Sequence, residues 1–488
     1  MNWVLALASS ALLILVFPKW DLAWLAPFAV IPLALASARE QNFWRRFAFG
    51  WASGIAYWFG LCNWIHFTLK THGGMSSTAA WLVFLLFCAA KGLQTGLFAG
   101  VAGWTMRIWF AAPATAALWV VIEYTHAPLG FAWLMLGNAA IGMTLPLRLA
   151  PVTGVWGMSF LFALISAALA CVLLKGSWRQ ILWLCAVPLV WLLPPLPTGQ
   201  PGSDHAILVQ PNIPETEEFT PAAFLQLLRR MRQLSLDPAS SREAQSLIVW
   251  PESPAPFYDN DREFMTYLAE LARTAHKNVL AGLIGSAPGG ASRNSASLLA
   301  ADGSLVSRYD KVNLVPFGEF IPWPLGPVAF KITKEVSDFQ PGERIVVSPM
   351  NGQKIAAFIC YESVFPGFIR SFVRAGATAM FNPSNDGWFG KTAARNQHLE
   401  IVRMRAAENA RWIVRATNDG ISAAIDPSGA VRQSLPLYEE ASASVGFSYR
   451  SELTFYTQHG DWFPLLCSAI TCVAVVEFFR TRRRGART

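Results

Sequence analysis

The chain has 488 residues, of which 53% are hydrophobic, 14% charged and 21 tryptophan. So apolar a composition excludes an ordinary soluble enzyme, because a chain of this kind either crosses a bilayer or aggregates. The formal net charge of +8 raises the question of a nucleic-acid partner, and the placement of the basic residues decides it.

About 20 apolar residues are needed to cross the hydrocarbon core of a bilayer. Apolar runs occur at 3–17, 22–37, 47–69, 79–104, 112–124, 152–174 and 181–195, and "WFPLLCSAITCVAVVEFF" (462–479) closes the chain. A single N-terminal block would suit a signal peptide, but seven in succession without a small-residue cleavage site do not. The expectation is about eight transmembrane helices, the first and seventh short. An even count places both termini on one side, and Lys and Arg mark the cytoplasmic side. With both ends cytoplasmic, the inside segments hold Arg39, Arg45, Arg46, Arg107, Lys175, Arg179, Arg480, Arg482, Arg483, Arg484 and Arg487, whereas the outside loops hold only Lys19, Lys70 and Arg148. The chain then reads as N-terminal transmembrane helices over 1–197, an extracytoplasmic domain over 204–460, and a last helix with a basic cytoplasmic tail over 462–488. That tail orients the chain, and no nucleic-acid partner is expected. The run 128–143, apolar but broken by Gly and Asn, reads either as a re-entrant segment or as an interfacial loop. His66, Glu123 and His126 read as ionisable groups snorkelling at helix ends.

"LLPPLPTGQPGSD" (192–204), rich in Pro and Gly, marks the boundary of the outer domain. Beyond it, strands are expected at 206–210, 246–250, 278–285, 355–360, 377–382, 411–417 and 421–426, with helices near 219–236, 261–277, 363–375 and 393–410. This alternation is an α/β pattern, and runs such as "SLIVW" lack period-two polarity, as strands covered on both faces do. Three segments deliver polar clusters at strand ends, where open α/β sheets bind ligands. "LIVWPES" delivers Glu252, "SRYDKVNLVPFGEF" delivers Lys311 and Glu319, and "FICYES" delivers Cys360, Tyr361 and Glu362.

Six of the seven cysteines, Cys62, Cys88, Cys171, Cys185, Cys467 and Cys472, lie in apolar segments, where cysteine behaves as a small hydrophobe. Cys360 alone lies in the outer domain, with no second cysteine to pair with and no metal-binding spacing beside it. A thiol with its ordinary pKa of about 8.5 offers little thiolate at neutral pH and needs a base or a positive neighbour. Neither His276 nor His398 stands in a motif like that of a papain-type protease. Glu252 is placed to take the thiol proton, and Lys311 to hold charge on an attacked carbonyl oxygen. A buried structural cysteine remains the alternative.

The order "WPES", "YDKVNLVPFGEF", "ICYES", "NPSNDGWFG" and "QHLEIVRMRAAENARWIVRATNDGISAAIDPSG" resembles the nitrilase superfamily and, within it, the membrane-embedded apolipoprotein N-acyltransferases of bacteria. The resemblance covers nearly the whole chain. It implies an αββα sandwich for the outer domain and a Glu–Lys–Cys triad of Glu252, Lys311 and Cys360. It implies that Glu319 positions the lysine and the acyl group, that Tyr361 and Glu362 are needed for activity, and that Asn294 and Trp388 match further functional positions. Asn313 stands where the family often carries histidine and receives no role. The implied reaction is a ping-pong transfer needing no cofactor and no metal. Cys360 takes an acyl chain as a thioester from a phospholipid donor, phosphatidylethanolamine, and passes it to the α-amine of a diacylglyceryl apolipoprotein acceptor. The enzyme is expected in the bacterial inner membrane, its catalytic domain periplasmic, acting as a monomer. The stretches 320–330 and 386–390 are expected as mobile lipid-touching arms or as core packing. Two other readings stay open: a membrane-anchored amidase whose thioester is resolved by water, and a transporter or lipid-binding protein with an inactive nitrilase-like domain.

Overall fold

The computed structural model describes residues 1–174, 178–200, 202, 204–215, 219–238, 245–320 and 339–485. It divides into two compact units, one of Met1–Phe67, Ser76–Pro195 and His459–Thr488, the other of Thr68–Met75 and Leu196–Gln458. The sequence does not announce that residues 68–75 join the second unit.

The first unit is helical. Among the described residues three helices are long and apolar enough to cross a membrane, Ser77–Thr105, Val155–Leu173 and Trp462–Arg484. The other apolar runs are helical but shorter, at Asn2–Val16, Ala23–Arg39, Ala111–Tyr124 and Trp178–Leu192. At 1.5 Å per residue, α-helices of about 15 residues such as Asn2–Val16 and Ala111–Tyr124 reach only ~22 Å of a core ~30 Å thick. The run expected at 22–37 is divided by Pro27 and Pro32 into Ala23–Phe28 and Ile31–Arg39, and the one at 47–69 into Phe43–Leu61 and Trp64–Thr71. Small residues let Phe43–Leu61 and Ser77–Thr105 approach closely, as apolar helices require when no water drives them together. A methyl group on Gly54 would stand 2.7 Å from the Gly92 Cα.

The segment 128–143 is exposed at 128–130 and at 142 but buried over 132–141, Trp133, Leu134, Met135, Leu136 and Asn138 included. Its irregular backbone is held by side chains: Leu136 N donates to Glu123 Oε1 at 2.6 Å, and Gly137 N to Ser159 Oγ at 2.8 Å. Glu123 and His126, expected to snorkel, are instead buried.

Among the described residues the second unit contains two six-stranded sheets. The first comprises β1 (Asp204–Gln210), β2 (Gln245–Val249), β3 (Asn278–Ser286), β4 (Ser292–Leu299) and β5 (Leu305–Asp310), with β12 (Ala441–Phe447) beside β1. The second runs in order β11 (Val431–Ser434), β10 (Ala423–Ile425), β9 (Ile413–Thr417), β8 (Ala379–Ser384), β7 (Gln353–Ala357) and β6 (Val347–Met350). In each sheet the central strands are parallel, β1–β2–β3 and β7–β8–β9, and the outer ones antiparallel.

Period-two alternation explains the layering. Ala206, Leu208, Leu247, Val249 and Leu280 face Phe381, Val414 and Ala424 in one core. Their neighbours Ile207, Val209, Ile248, Val279 and Ala281 face the opposite way, onto Leu227 and Met231 of helix Pro221–Leu236 and Phe264 and Leu268 of helix Arg262–Ala275. Each such fully buried aliphatic side chain contributes ~1.5–3 kcal/mol. Helices Pro366–Arg374 and Ala394–Asn409 bury Ile369, Phe372, Val402 and Ala406 in the core of the second sheet. Local chemistry sets the helix ends. Asp261 Oδ1 accepts from the N–H groups of Glu263 and Phe264 at 2.9 and 3.2 Å, a cap worth ~1 kcal/mol. The seven expected strands and four expected helices of this unit form. Strands β4, β5, β6, β11 and β12 were not foreseen, because polar runs such as "SRNSASLL" and "ASASVGF" lack the apolar signature.

Candidate active site

The site lies where the parallel strands end. Glu252 follows β2, Lys311 follows β5 directly, and Asn385 follows β8. The expected strand through Cys360 stops at Ala357, and a tight 3-10 turn, Cys360–Val364, takes over. Cys360 itself has φ +48°, a left-handed conformation that non-glycine residues adopt at a cost and that clusters at functional sites. It takes Cys360 out of the extended conformation of the strand before it.

Lys311 is 1% exposed and is held between two carboxylates, Glu252 Oε1 at 2.9 Å and Glu319 Oε1 at 3.0 Å. Asn294 Nδ2 donates to the same two oxygens at 2.7 and 2.6 Å. The remaining carboxylate oxygens are occupied as well: Asn385 N donates to Glu252 Oε2 at 2.9 Å, and Val315 N to Glu319 Oε2 at 2.7 Å. Burial alone would pull the ammonium down, but the negative charges of Glu252 and Glu319 hold it well above the usual lysine range. Lys311 is therefore a fixed positive charge. Cys360 is buried, and burial together with the Glu252 carboxylate pushes its thiol up, against the opposing pull of Lys311 and a hydrogen bond to Ser384. A resting thiol of this kind must lose its proton as it attacks, which calls for a base within reach.

Glu362, completely buried, ties the lysine loop to the cysteine turn. Its Oε1 accepts from Tyr309 Oη at 2.6 Å, Val312 N at 2.8 Å and Asn313 N at 3.1 Å, and its Oε2 from Ile359 N at 2.7 Å. Burial pushes this carboxyl up to about 7 against the hydrogen bonds from Tyr309, Ile359 and Asn313 and the charge of Lys311. Asn313 thus acts through its backbone. Tyr361 is buried edge-on against Phe365, ring centres 5.5 Å apart. Trp388 is 36% exposed, accepts at its carbonyl from Thr68 Oγ1 at 3.0 Å and lies 4.8 Å from the His72 ring. The stretch 386–390 is thereby built into the unit, with Asp386, Gly387 and Phe389 buried. The companion stretch 320–330 falls, apart from Phe320, outside the described residues.

A second layer escaped the sequence reading. His398 Nε2 lies 3.1 Å from the Cys360 carbonyl and 3.0 Å from Ser363 Oγ, and His398 Nδ1 lies 3.0 Å from Asp386 Oδ1. Arg415 donates through one nitrogen to both Asp386 oxygens, at 2.7 and 2.8 Å, and also bonds Asn382. All three are fully buried. Burial would raise Asp386, yet the Arg415 guanidinium and His398 hold it well below the usual carboxylate range. Burial and Arg415 together lower His398. His398 is thus a strut under the nucleophile's backbone. The available signal was Arg415 inside the apolar run "IVRAT", because a charge buried in a strand demands a partner.

Comparison with known proteins shows the family to which this chain belongs. Residues 206–448 match the family model described as carbon-nitrogen hydrolase, and residues 9–168 match the apolipoprotein N-acyltransferase N-terminal domain. A protein of Geobacter metallireducens named apolipoprotein N-acyltransferase is 31% identical over 99% of this chain and 96% of its own length. One of Bordetella bronchiseptica with the same name is 33% identical over 96% of this chain and 94% of its own. Among solved structures, a nitrilase-superfamily protein of Saccharomyces cerevisiae matches 50% of this chain and 89% of its own at 18% identity and a TM-score of 0.40. The helical first unit and the nitrilase-like α/β unit occur together over nearly the full length of those curated relatives, and the chain belongs to the apolipoprotein N-acyltransferase family.

Proposed function

We propose that this chain completes lipoprotein maturation by moving an acyl chain from a phospholipid, through a thioester on Cys360, to the α-amine of a diacylglyceryl-cysteine apolipoprotein. The observation that carries the mechanism is the buried Lys311 ammonium, held by Glu252 and Glu319 within electrostatic reach of the buried Cys360 thiol. Glu252 takes the thiol proton as sulfur attacks the donor ester, then returns it to the departing lysophospholipid alkoxide. Lys311 stabilises the oxyanion of the tetrahedral intermediate, an effect worth ~10²–10³ in rate for a single well-placed donor. Glu319 and Asn294 fix the ammonium and the base in register. His398 braces the Cys360 carbonyl, so that the unusual backbone of the nucleophile is maintained between the two half-reactions.

The first unit supplies a physical reason for the reaction to occur at a bilayer, since donor and acceptor both carry acyl chains too insoluble to diffuse through water. In this reading all eight apolar segments lie in the inner membrane, both termini are cytoplasmic, the α/β unit is periplasmic, and a monomer suffices. Intact-mass measurement after incubation with phosphatidylethanolamine tests the proposal. The wild type gains one hydroxylamine-labile acyl chain, Cys360→Ala gains none, and a diacylglyceryl peptide discharges the adduct as an amide. An adduct discharged only by water makes the protein an amidase-type hydrolase, and no adduct on folded, lipid-supplied wild type refutes the thioester route.

A further inference from the structure

The second half-reaction has a proton balance that the triad alone does not close. An α-ammonium that becomes an amide nitrogen sheds two protons. One travels by way of Glu252 to the sulfur as the C–S bond breaks and the thiol re-forms. The other needs a second acceptor, because Glu252 carries one proton at a time. A free α-amino group titrates near 7.7–8.0, so at neutral pH most acceptor molecules arrive carrying that extra proton.

One carboxylate beside the site has no part in forming the thioester. Glu215 follows β1, and its carboxyl head rests on the turn after β8. A methyl group on Gly387 would stand 2.2 Å from Glu215 Oε1, so the carboxylate occupies the space that a side chain at position 387 would take. Asn418 Nδ2 donates to Glu215 Oε1 at 3.3 Å, and the Asn385 side chain hydrogen-bonds to the same carboxyl. Asn385 is also the residue whose backbone N–H holds Glu252 Oε2, so a single residue bridges the two carboxylates. The residue as a whole is exposed, as a group meeting an incoming substrate must be. The charged groups around it are Asp419, paired to Arg395 at 2.7 Å, and Glu252, paired to Lys311. Withdrawal of water from the carboxyl head, with the negative charges of Asp419 and Glu252, pushes Glu215 up to about 7, within a unit of the ammonium it would relieve.

We infer that Glu215 is the acceptor-side acid–base residue: it hydrogen-bonds the incoming α-ammonium of the apolipoprotein and removes its first proton, leaving Glu252 free to carry the second to the sulfur. The inference rests on the acyl-transfer reading above. In the step, Glu215 takes a proton from R–NH3+ and the amine nitrogen bonds to the thioester carbon. The tetrahedral intermediate then collapses with loss of Cys360 sulfur, which leaves with the nitrogen's second proton by way of Glu252. Glu215 later releases its proton to water.

The test separates the half-reactions in the full-length protein. Glu215→Gln is charged with phosphatidylethanolamine, the acyl-enzyme is counted by mass, and its discharge by a diacylglyceryl-cysteine peptide is followed in single turnover from pH 6 to 9. Expected are thioester formation within about twofold of wild type and discharge at least tenfold slower at pH 6.5. The deficit narrows as the pH passes the ammonium's own pKa, and Glu215→Asp restores part of the rate. Unchanged discharge overturns the inference, as does equal slowing of both half-reactions or a deficit independent of pH. Failure of the wild type to form a thioester is a different outcome, which removes the acyl-transfer reading and this inference with it.

Discussion

Asp386→Asn isolates the support beneath the nucleophile. The substitution keeps shape and removes one charge, leaving the fully buried Arg415 guanidinium with neutral partners alone, the Asn382 oxygen, the His398 ring and an amide in place of a carboxylate. Breaking a buried pair by neutralising one partner costs ~3–5 kcal/mol, and for a unit of this size each kcal/mol lowers Tm by ~2–4 °C. A fall of ~10 °C is therefore expected in detergent. The consequence reaches Cys360, because His398 loses the carboxylate that orients it against the Cys360 carbonyl. A displacement of the nucleophile by ~1 Å is worth ~10² in rate, so thioester formation should slow about a hundredfold with phospholipid affinity little changed. The pH dependence has a definite sign. Asp386 is depressed in the folded protein, so its stabilisation is present above the ordinary carboxylate range and is lost as the pH falls through and below it. The wild type should lose that stability in acid, whereas Asp386→Asn lacks it at every pH. A variant that melts within 2 °C of wild type and acylates within threefold would falsify the strut.

Lys311→Met removes the fixed positive charge between Glu252 and Glu319; single-turnover thioester formation should fall ~10²–10³-fold, and a loss under fivefold refutes the oxyanion role. Glu362 is raised to about 7 by burial, so the stability of its neutral form is fully present below about 4.5 and is lost as the pH climbs toward and through 7. Against Glu362→Gln, which stays neutral, the wild type should lose up to ~3 kcal/mol more between pH 5 and 8, at 1.36 kcal/mol per pKa unit; a pH-independent difference contradicts this. For sidedness, Ser304→Cys on the exposed turn after β4 should react in intact spheroplasts with a membrane-impermeant maleimide. Labelling only after permeabilisation places the α/β unit in the cytoplasm and reverses the proposed orientation.

Side chains whose chemistry is carried by their immediate neighbours were legible from the chain alone. "WPES", "YDK" and "ICYES" each end a strand and present a charged or nucleophilic group. The alternation of strand and helix, the Pro- and Gly-rich boundary at 192–204 and the apolar runs are likewise local properties, readable at periods of two to four residues or in windows of twenty. From these the α/β class, the helical N-terminal region and the three groups brought together at the strand ends all follow.

Tertiary structure decided whatever depends on distant residues sharing a desolvated space. Arg415 stands out in its apolar strand, but its partners Asp386 and His398 lie 29 and 17 residues away in the chain, and only burial without water forces the three together and makes them a brace for Cys360. Glu362 reaches back 50 residues to Val312 and 53 to Tyr309, a link invisible to any local window. The left-handed backbone at Cys360, the seating of Glu215 on Gly387 and the burial of 132–141 by Glu123 and Ser159 have the same origin. Hydrophobic pattern specifies which face is buried, but it does not specify which polar groups will meet once water is gone.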